Sequence, residues 1–273
     1  MQYDHLSIDG QRVAYTTSDG DGPAVLLIHG NSSSSRTFQP QLESELGRAY
    51  RMVAIDLPGF GDSQPIADAA SGLGIQGYGR LVMKVVDALK LRDVVLVGWS
   101  LGGHVALEAV EDISGCKGVL IYGTPPLAFP PDMAAAFLPN PAMGAAFNPQ
   151  LSEAEMHGFV QAFFAPGYVV DDDRFMHDIR RADGSARAAI AASIRPGGYK
   201  DEVRVVTNLR TPLAVLHGAQ EQLINGAYFD ALTMPTLWRG AVQVIADAGH
   251  APHWETPSAF NALLGDFLAE CAG

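Results

Sequence analysis

Val94-Val95-Leu96-Val97-Gly98-Trp99-Ser100-Leu101-Gly102-Gly103 is the stretch on which the reading of this chain turns. Its four leading aliphatic residues predict a buried strand, and Leu101 to Val110 continues with apolar residues at helical spacing, so the serine occupies a strand-to-helix junction. Glycine two before and two after the serine is what a tight junction needs, because there the backbone passes too close for a side chain. The serine is then held in a strained conformation, its hydroxyl exposed at the carboxyl end of the sheet. The helix N-terminus behind it offers the Leu101 amide to a developing negative charge. Ser100 is therefore the candidate nucleophile and the Leu101 amide a candidate oxyanion donor.

Outward from this junction, short β-branched runs alternate with amphipathic stretches, the pattern of an α/β protein with a mostly parallel central sheet flanked by helices. Ala24 to Ile28, Met52 to Ile55, Val94 to Val97, Val119 to Tyr122, Leu213 to Leu216 and Val242 to Ile245 are nearly continuous apolar runs, expected in the middle of the sheet. Arg12 to Thr17 alternates as a half-exposed edge hairpin strand does. Tyr78 to Leu89, Leu101 to Val110 and Ala259 to Leu268 are expected to be the helices that cover the sheet.

From Thr124 to about Asn208 the rhythm stops, and prolines, alanines and aromatics such as Phe129, Phe159, Phe163 and Phe175 accumulate without a convincing central strand. A structureless loop of that length is improbable inside a compact domain. Residues 124–208 are therefore expected to form an inserted helical cap on a core made of residues 1–123 and 209–273. Ser152 followed three residues later by Glu155 supports a helix there, because that pair can form a capping box.

The 273 residues are 48% apolar, enough for one sizeable core with an insertion. Eighteen basic against 30 acidic side chains give a net charge of −12 with no local basic cluster, which argues against a nucleic-acid partner. No apolar run approaches the roughly 20 residues that cross a bilayer, so no membrane partner is expected. Cys116 and Cys271 are far apart in sequence, and Met1 to Asp9 is too polar for a secretory signal, so a cytoplasmic protein with reduced thiols is the expectation. No metal-ligand spacing appears, and Gly98 to Gly103 lacks the dinucleotide-binding glycine order, so neither metal nor cofactor is expected. Oligomeric state leaves no mark in the sequence.

The remaining candidate residues follow predicted strands. Ala24 to Ile28 ends in His29-Gly30-Asn31 and four serines, a polar glycine-bearing loop suited to turning amides toward a ligand. The second oxyanion donor is assigned to the Asn31 amide; Gly30 and the Asn31 side chain are placed to meet substrate, and His29 reads as structural. His250, between the predicted terminal strand and the last helix, is the candidate general base, with His253 its nearest rival. Glu221 is the only carboxylate in the loop after Leu213 to Leu216 and is the candidate acid; Asp247 competes but lies only three residues before His250.

Together, His29-Gly30, Asp56-Leu57-Pro58-Gly59-Phe60-Gly61-Asp62-Ser63, Gly98 to Gly103 and the late His250 resemble the α/β-hydrolase superfamily, with motifs spread over nearly the whole chain outside the cap. The chain order serine, acid, histidine is that of the superfamily, in which either Asp or Glu orients the imidazole. Within it, His29 to Ser34, Gly98 to His104, Gly123-Thr124-Pro125-Pro126 and Glu221 are similar to the AidH-type N-acyl-homoserine lactonases. The resemblance implies an α/β-hydrolase fold and a metal-independent serine hydrolase that opens the lactone ring of bacterial quorum-sensing signals. Its partner would be a small-molecule ester or lactone, whose apolar acyl chain the aromatic-rich cap would receive. One departure accompanies it: lactonases of this type carry a cap tyrosine near the position held here by Phe159, a candidate substrate contact without a hydroxyl. Two rival readings stand beside this one. The first is a general carboxylesterase or another cap-bearing ester or carbon–carbon hydrolase; the second is a ligand receptor that keeps the fold. Haloalkane or epoxide chemistry would need a carboxylate where Ser100 stands.

Overall fold

The computed structural model describes residues 2–65, 73–170 and 173–272. Strands β1 (Gln2–Ile8), β2 (Gln11–Thr17), β3 (Ala24–Ile28), β4 (Arg51–Ile55), β5 (Val95–Trp99), β6 (Gly118–Tyr122), β7 (Leu213–Gly218) and β8 (Gln243–Ile245) form one sheet in the order β1-β2-β4-β3-β5-β6-β7-β8. The first two pairings are antiparallel and all pairings from β4 to β8 are parallel. Every residue of β3, β5 and β6 is buried, as strands covered on both faces must be, which explains their continuous apolar runs.

Register places the site. Ile28 pairs with Gly98, Gly98 with Ile121, Trp99 with Tyr122, and Tyr122 with Leu216, so β3, β5, β6 and β7 end side by side. The loops that leave those four ends therefore share one rim, with the Ser100 turn near its middle.

Two expectations about the sheet need correction. Val242 to Ile245 was expected in its middle, yet β8 is the outermost strand and Val244 is 61% exposed. An apolar run identifies a strand, but only its neighbours decide whether both faces are covered. Arg12 to Thr17 does not form the edge: β1, drawn from the polar N-terminal stretch, pairs outside it. The available signal was Asp9-Gly10, both at positive φ in the connecting turn, the residue pair that tight hairpins favour.

The helices are α1 (Gln39–Leu42), α2 (Glu45–Ala49), α3 (Ile75–Ala88), α4 (Leu101–Ala109), α5 (Met133–Ala136), α6 (Glu153–Gln161), α7 (Arg174–Arg181), α8 (Gly184–Ser193), α9 (Glu202–Asn208), α10 (Pro252–Glu255) and α11 (Pro257–Ala272). Helix α3 buries Tyr78, Leu81, Val82, Val85 and Val86, and α11 buries Phe260, Leu264, Phe267 and Leu268, each along one helical stripe. Between β6 and β7 the described chain runs through α5 to α9 without adding a strand to the sheet. Helix α6 opens with the expected capping box: Ser152 N–H donates to the Glu155 carboxylate at 2.7 Å and Glu155 N–H to the Ser152 hydroxyl at 3.3 Å. An aromatic cluster packs this region against α10, with ring centroids 4.8 Å apart for Phe159 and Phe163, 5.1 Å for Phe164 and Phe175, and 5.3 Å for Phe175 and Trp254.

Candidate active site

Ser100 has φ 53° and ψ −118°, a conformation that costs an L-residue about 1–3 kcal/mol and survives only where its surroundings enforce it. They do so through two hydrogen bonds. Ser100 N–H donates to the Tyr122 carbonyl at 2.9 Å, and the Thr124 hydroxyl donates to the Ser100 carbonyl at 2.8 Å. The flanking glycines permit the bend: a Cβ on Gly98 would lie 2.3 Å from the Gly102 carbonyl oxygen, and one on Gly102 would lie 2.0 Å from that of Ile28. This is the physical content of the G-x-S-x-G spacing.

The imidazole of His250 reaches the same rim from the loop that follows the edge strand β8. Its Nδ1 lies 2.8 Å from Glu221 Oε2, and both side chains are 2% exposed. Burial alone would raise the Glu221 carboxyl, but the His250 ring and the Leu223 amide, 2.8 Å from Oε1, hold it below the usual glutamate range. Trp99, the residue before the serine, donates its indole N–H to the His250 carbonyl at 2.8 Å. Phe163 stacks on the imidazole at 6.1 Å. Gly123, at φ 60°, leaves room for the ring: a Cβ there would meet His250 Cε1 at 2.7 Å. Gly123 directly follows the carbonyl that binds the Ser100 amide, so the imidazole packs against the chain next to the serine's own hydrogen-bond partner. Ser100, His250, Asn31 and Leu101 all line one cavity of about 840 Å³ of unfilled space, its mouth included, whose remaining wall is mostly apolar.

The His250 loop is itself clamped. Glu255 accepts Gly249 N–H at 2.7 Å and Ala165 N–H at 2.6 Å, and Ala251 N–H donates to the Phe163 carbonyl at 2.8 Å. Two backbone segments from distant parts of the chain thus share one carboxylate.

Among the described residues neither the Asn31 nor the Leu101 backbone N–H reaches a protein acceptor, the condition an oxyanion site must meet. The Asn31 side chain, in contrast, is not free for a substrate carbonyl as the sequence suggested. Its amide donates to the Ala146 carbonyl at 2.7 Å and its oxygen accepts from the Ser32 hydroxyl at 3.0 Å, so it ties the loop to the insertion. The Asp56 motif braces the same loop, accepting Ser35 N–H at 2.6 Å and Asp62 N–H at 2.7 Å.

The rivals fall away on position. His253 is fully buried against Trp99 and Tyr122 with Nε2 2.7 Å from the Thr37 hydroxyl, and burial pushes its pKa well down. His29 is likewise buried, accepts the Leu57 N–H at 3.0 Å, and is structural. Asp247 is exposed while His250 faces Glu221. Gly30 and Phe159 line the cavity.

Sequence reasoning missed Arg187, Glu255 and the pair His104–Glu202. Arg187 is 3% exposed and donates to the Ser32 hydroxyl and the Asn148 and Pro149 carbonyls, at 3.2, 2.7 and 3.2 Å. Glu202, 1% exposed, faces His104. Such partners lie far apart in sequence, with no local signature. Among the described residues no three His, Cys, Asp or Glu side chains converge as a metal site requires, and no helix is long and apolar enough to cross a membrane.

The sequence matches the alpha/beta hydrolase family over residues 25–263. The chain belongs to that family. This hydrolase superposes on the N-acyl homoserine lactonase AidH, both a serine-to-glycine mutant complexed with N-hexanoyl homoserine lactone and AidH complexed with N-butanoyl homoserine, with a TM-score of 0.94 and 32% identity in each case. The match covers 99% of the present chain and 98% and 97% of the two AidH chains. By sequence it is 28% identical to the dihydrolipoyllysine-residue acetyltransferase component of the acetoin cleaving system of Cupriavidus necator, over 97% of this chain and 69% of that protein. It is 27% identical to the 2-hydroxymuconate semialdehyde hydrolase of Pseudomonas sp. (strain CF600), over 92% of this chain and 88% of that one.

Proposed function

We propose that this hydrolase opens the lactone ring of N-acyl-homoserine lactones through a triad of Ser100, His250 and Glu221, with residues 124–208 as a cap over the acyl-chain pocket. The observation that carries the reading is the convergence of a strained serine, a buried imidazole–carboxylate pair and two unengaged amides on one apolar cavity. The likeness to AidH supplies the substrate class.

Glu221 accepts a hydrogen bond from Nδ1–H of His250, which leaves Nε2 to take the hydroxyl proton of Ser100. The serine oxygen bonds to the ring carbonyl carbon, and the amides of Asn31 and Leu101 hold the oxyanion; losing one such donor costs on the order of 3 kcal/mol. Collapse breaks the ring C–O bond, and the imidazolium returns its proton to the departing alkoxide. Water, deprotonated by His250, then releases the hydroxy acid and restores the serine. Until that step the new hydroxyl is tethered to the acyl group and recloses with high effective molarity, so a well-placed water sets the net rate. Gly30, the Asn31 backbone and Phe159 form the wall against which the lactone sits.

Purified protein is incubated with N-hexanoyl homoserine lactone, with and without a chelator, and the products are weighed. A single product heavier by one water, in both arms, is expected and is lost in Ser100→Ala. Two fragments would indicate amide cleavage, and an unchanged lactone alongside p-nitrophenyl ester turnover would indicate a general esterase; either result overturns the lactonase reading.

A further inference from the structure

A second histidine–carboxylate pair lines the same cavity. His104 lies one helical turn after Ser100 on α4, with Nδ1 2.9 and 2.8 Å from the two oxygens of Glu202. Glu202 also accepts Leu127 N–H at 2.8 Å and returns its own backbone N–H to the Leu127 carbonyl at 2.8 Å, which fixes the residue through both its side chain and its main chain. Burying such a side chain in an apolar wall is costly unless it is held this completely. Both His104 and Glu202 line the cavity beside Ser100.

The other polar side chains of that wall are already engaged. Tyr199 donates to the Ala128 carbonyl at 2.7 Å, Trp99 to that of His250 at 2.8 Å, and Asn31 to that of Ala146 at 2.7 Å. Apart from the proposed Ser100 and His250 machinery, His104 Nε2 is the side-chain nitrogen of the described wall left without a protein partner. A carboxylate on Nδ1 fixes the proton there, so the neutral ring carries its lone pair on Nε2, on a side chain that lines the cavity.

We infer that His104 is a specificity residue whose Nε2 accepts a hydrogen bond from an N–H borne on the carbon next to the scissile carbonyl, with Glu202 as its positioning residue. The spacing fits. His104 N–H lies 3.4 Å from the Ser100 carbonyl, so the two residues are about one helical turn, roughly 5 Å, apart. A carbonyl carbon poised about 3 Å from the serine oxygen puts an α-amido nitrogen, two bonds further on, within hydrogen-bond reach of the next turn. The substrate class is then α-acylamino esters and lactones in preference to plain ones. This rests on Ser100 as the nucleophile and deepens the lactonase reading.

The test compares two chromogenic esters of equal length, p-nitrophenyl N-hexanoylglycinate and p-nitrophenyl 4-oxononanoate, which carries CH₂ in place of the amide N–H. The readout is the ratio of their kcat/KM values, in which any loss of folded enzyme cancels. The parent is expected to favour the amide ester about tenfold, the value of one well-placed hydrogen bond. His104→Leu is expected to abolish that preference, and His104→Gln, which keeps an acceptor oxygen, to retain most of it. A ratio unchanged in His104→Leu, or near one in the parent, overturns the inference. If the ratio behaves as expected while N-hexanoyl homoserine lactone stays intact, the lactonase reading falls and the role of His104 stands.

Discussion

Replacing Glu221 by glutamine tests the proposed triad with almost no change of shape. The carboxylate lies between two donors, Leu223 N–H at Oε1 and His250 Nδ1 at Oε2, each 2.8 Å away. A carboxamide has one oxygen, so its NH₂ must face one of them. The Leu223 amide cannot give up its proton, whereas the imidazole can move its own from Nδ1 to Nε2. The satisfied arrangement of Glu221→Gln therefore turns the oxygen to Leu223 and lets the NH₂ donate to Nδ1. That leaves Nε2 protonated and unable to accept from Ser100. The analogous wrong-tautomer change in a well-studied serine protease lowers kcat about 10⁴-fold, or roughly 5.5 kcal/mol of barrier. All hydrogen bonds remain paired, so the fold loses only the charge-assisted component, about 1 kcal/mol, or a few degrees in Tm. Steady-state hydrolysis of p-nitrophenyl butyrate and thermal unfolding measure both. A variant that unfolds with its parent yet keeps kcat within tenfold would refute the assignment of Glu221.

Three further outcomes are expected. Gly123→Ala forces a Cβ against the His250 ring at a positive φ; it should lower kcat ten- to a hundredfold and destabilise by about 1–2 kcal/mol, read by steady-state kinetics and urea unfolding. Arg187→Met strips the donors from the Asn148 and Pro149 carbonyls and from Ser32; a loss of about 3 kcal/mol is expected, and a Tm within 2 °C of the parent would contradict it. His29 and His253 are buried with pKa values pushed down by desolvation, so below the ordinary histidine value of 6.5 the unfolded chain binds protons that the folded chain does not. Their stabilisation is complete above that pH and declines as pH falls through it, by up to about 1.4 kcal/mol per pH unit for each ring. A Tm flat from pH 8 down to 5 would contradict this, and His253→Gln should shallow the slope.

What the sequence made legible was local. The Ser100 turn, its flanking glycines, the strand before it and the capping box at Ser152 are each written in a few adjacent residues, and the structure realises them with the expected contacts. His250 and Glu221 stand out in the sequence because each follows a strand run, and the parallel register of β7 and β8 carries both loops to the common rim. Two kinds of feature were not legible. Sheet order depends on what covers each strand, so β8 read as central from Val242 to Ile245 alone. Side-chain partnerships across 98 residues, as between His104 and Glu202, or 155, as between Ser32 and Arg187, are products of tertiary packing and leave no periodic trace. Asn31 shows the same limit within one residue: its place in the loop was readable, its attachment to Ala146 was not.

The shared carboxylate of Glu255 has a consequence for anyone who would broaden the substrate range by transplanting the segment between β6 and β7 from another hydrolase. The donor segment would have to reproduce the main-chain path at Phe163 to Ala165, because that path supplies the Ala165 amide to Glu255 and the carbonyls that hold Ala251 and Gln222. A graft chosen only for the shape of its pocket would loosen the imidazole's anchorage, so chimaeras should lose turnover for every ester alike before any new preference emerges.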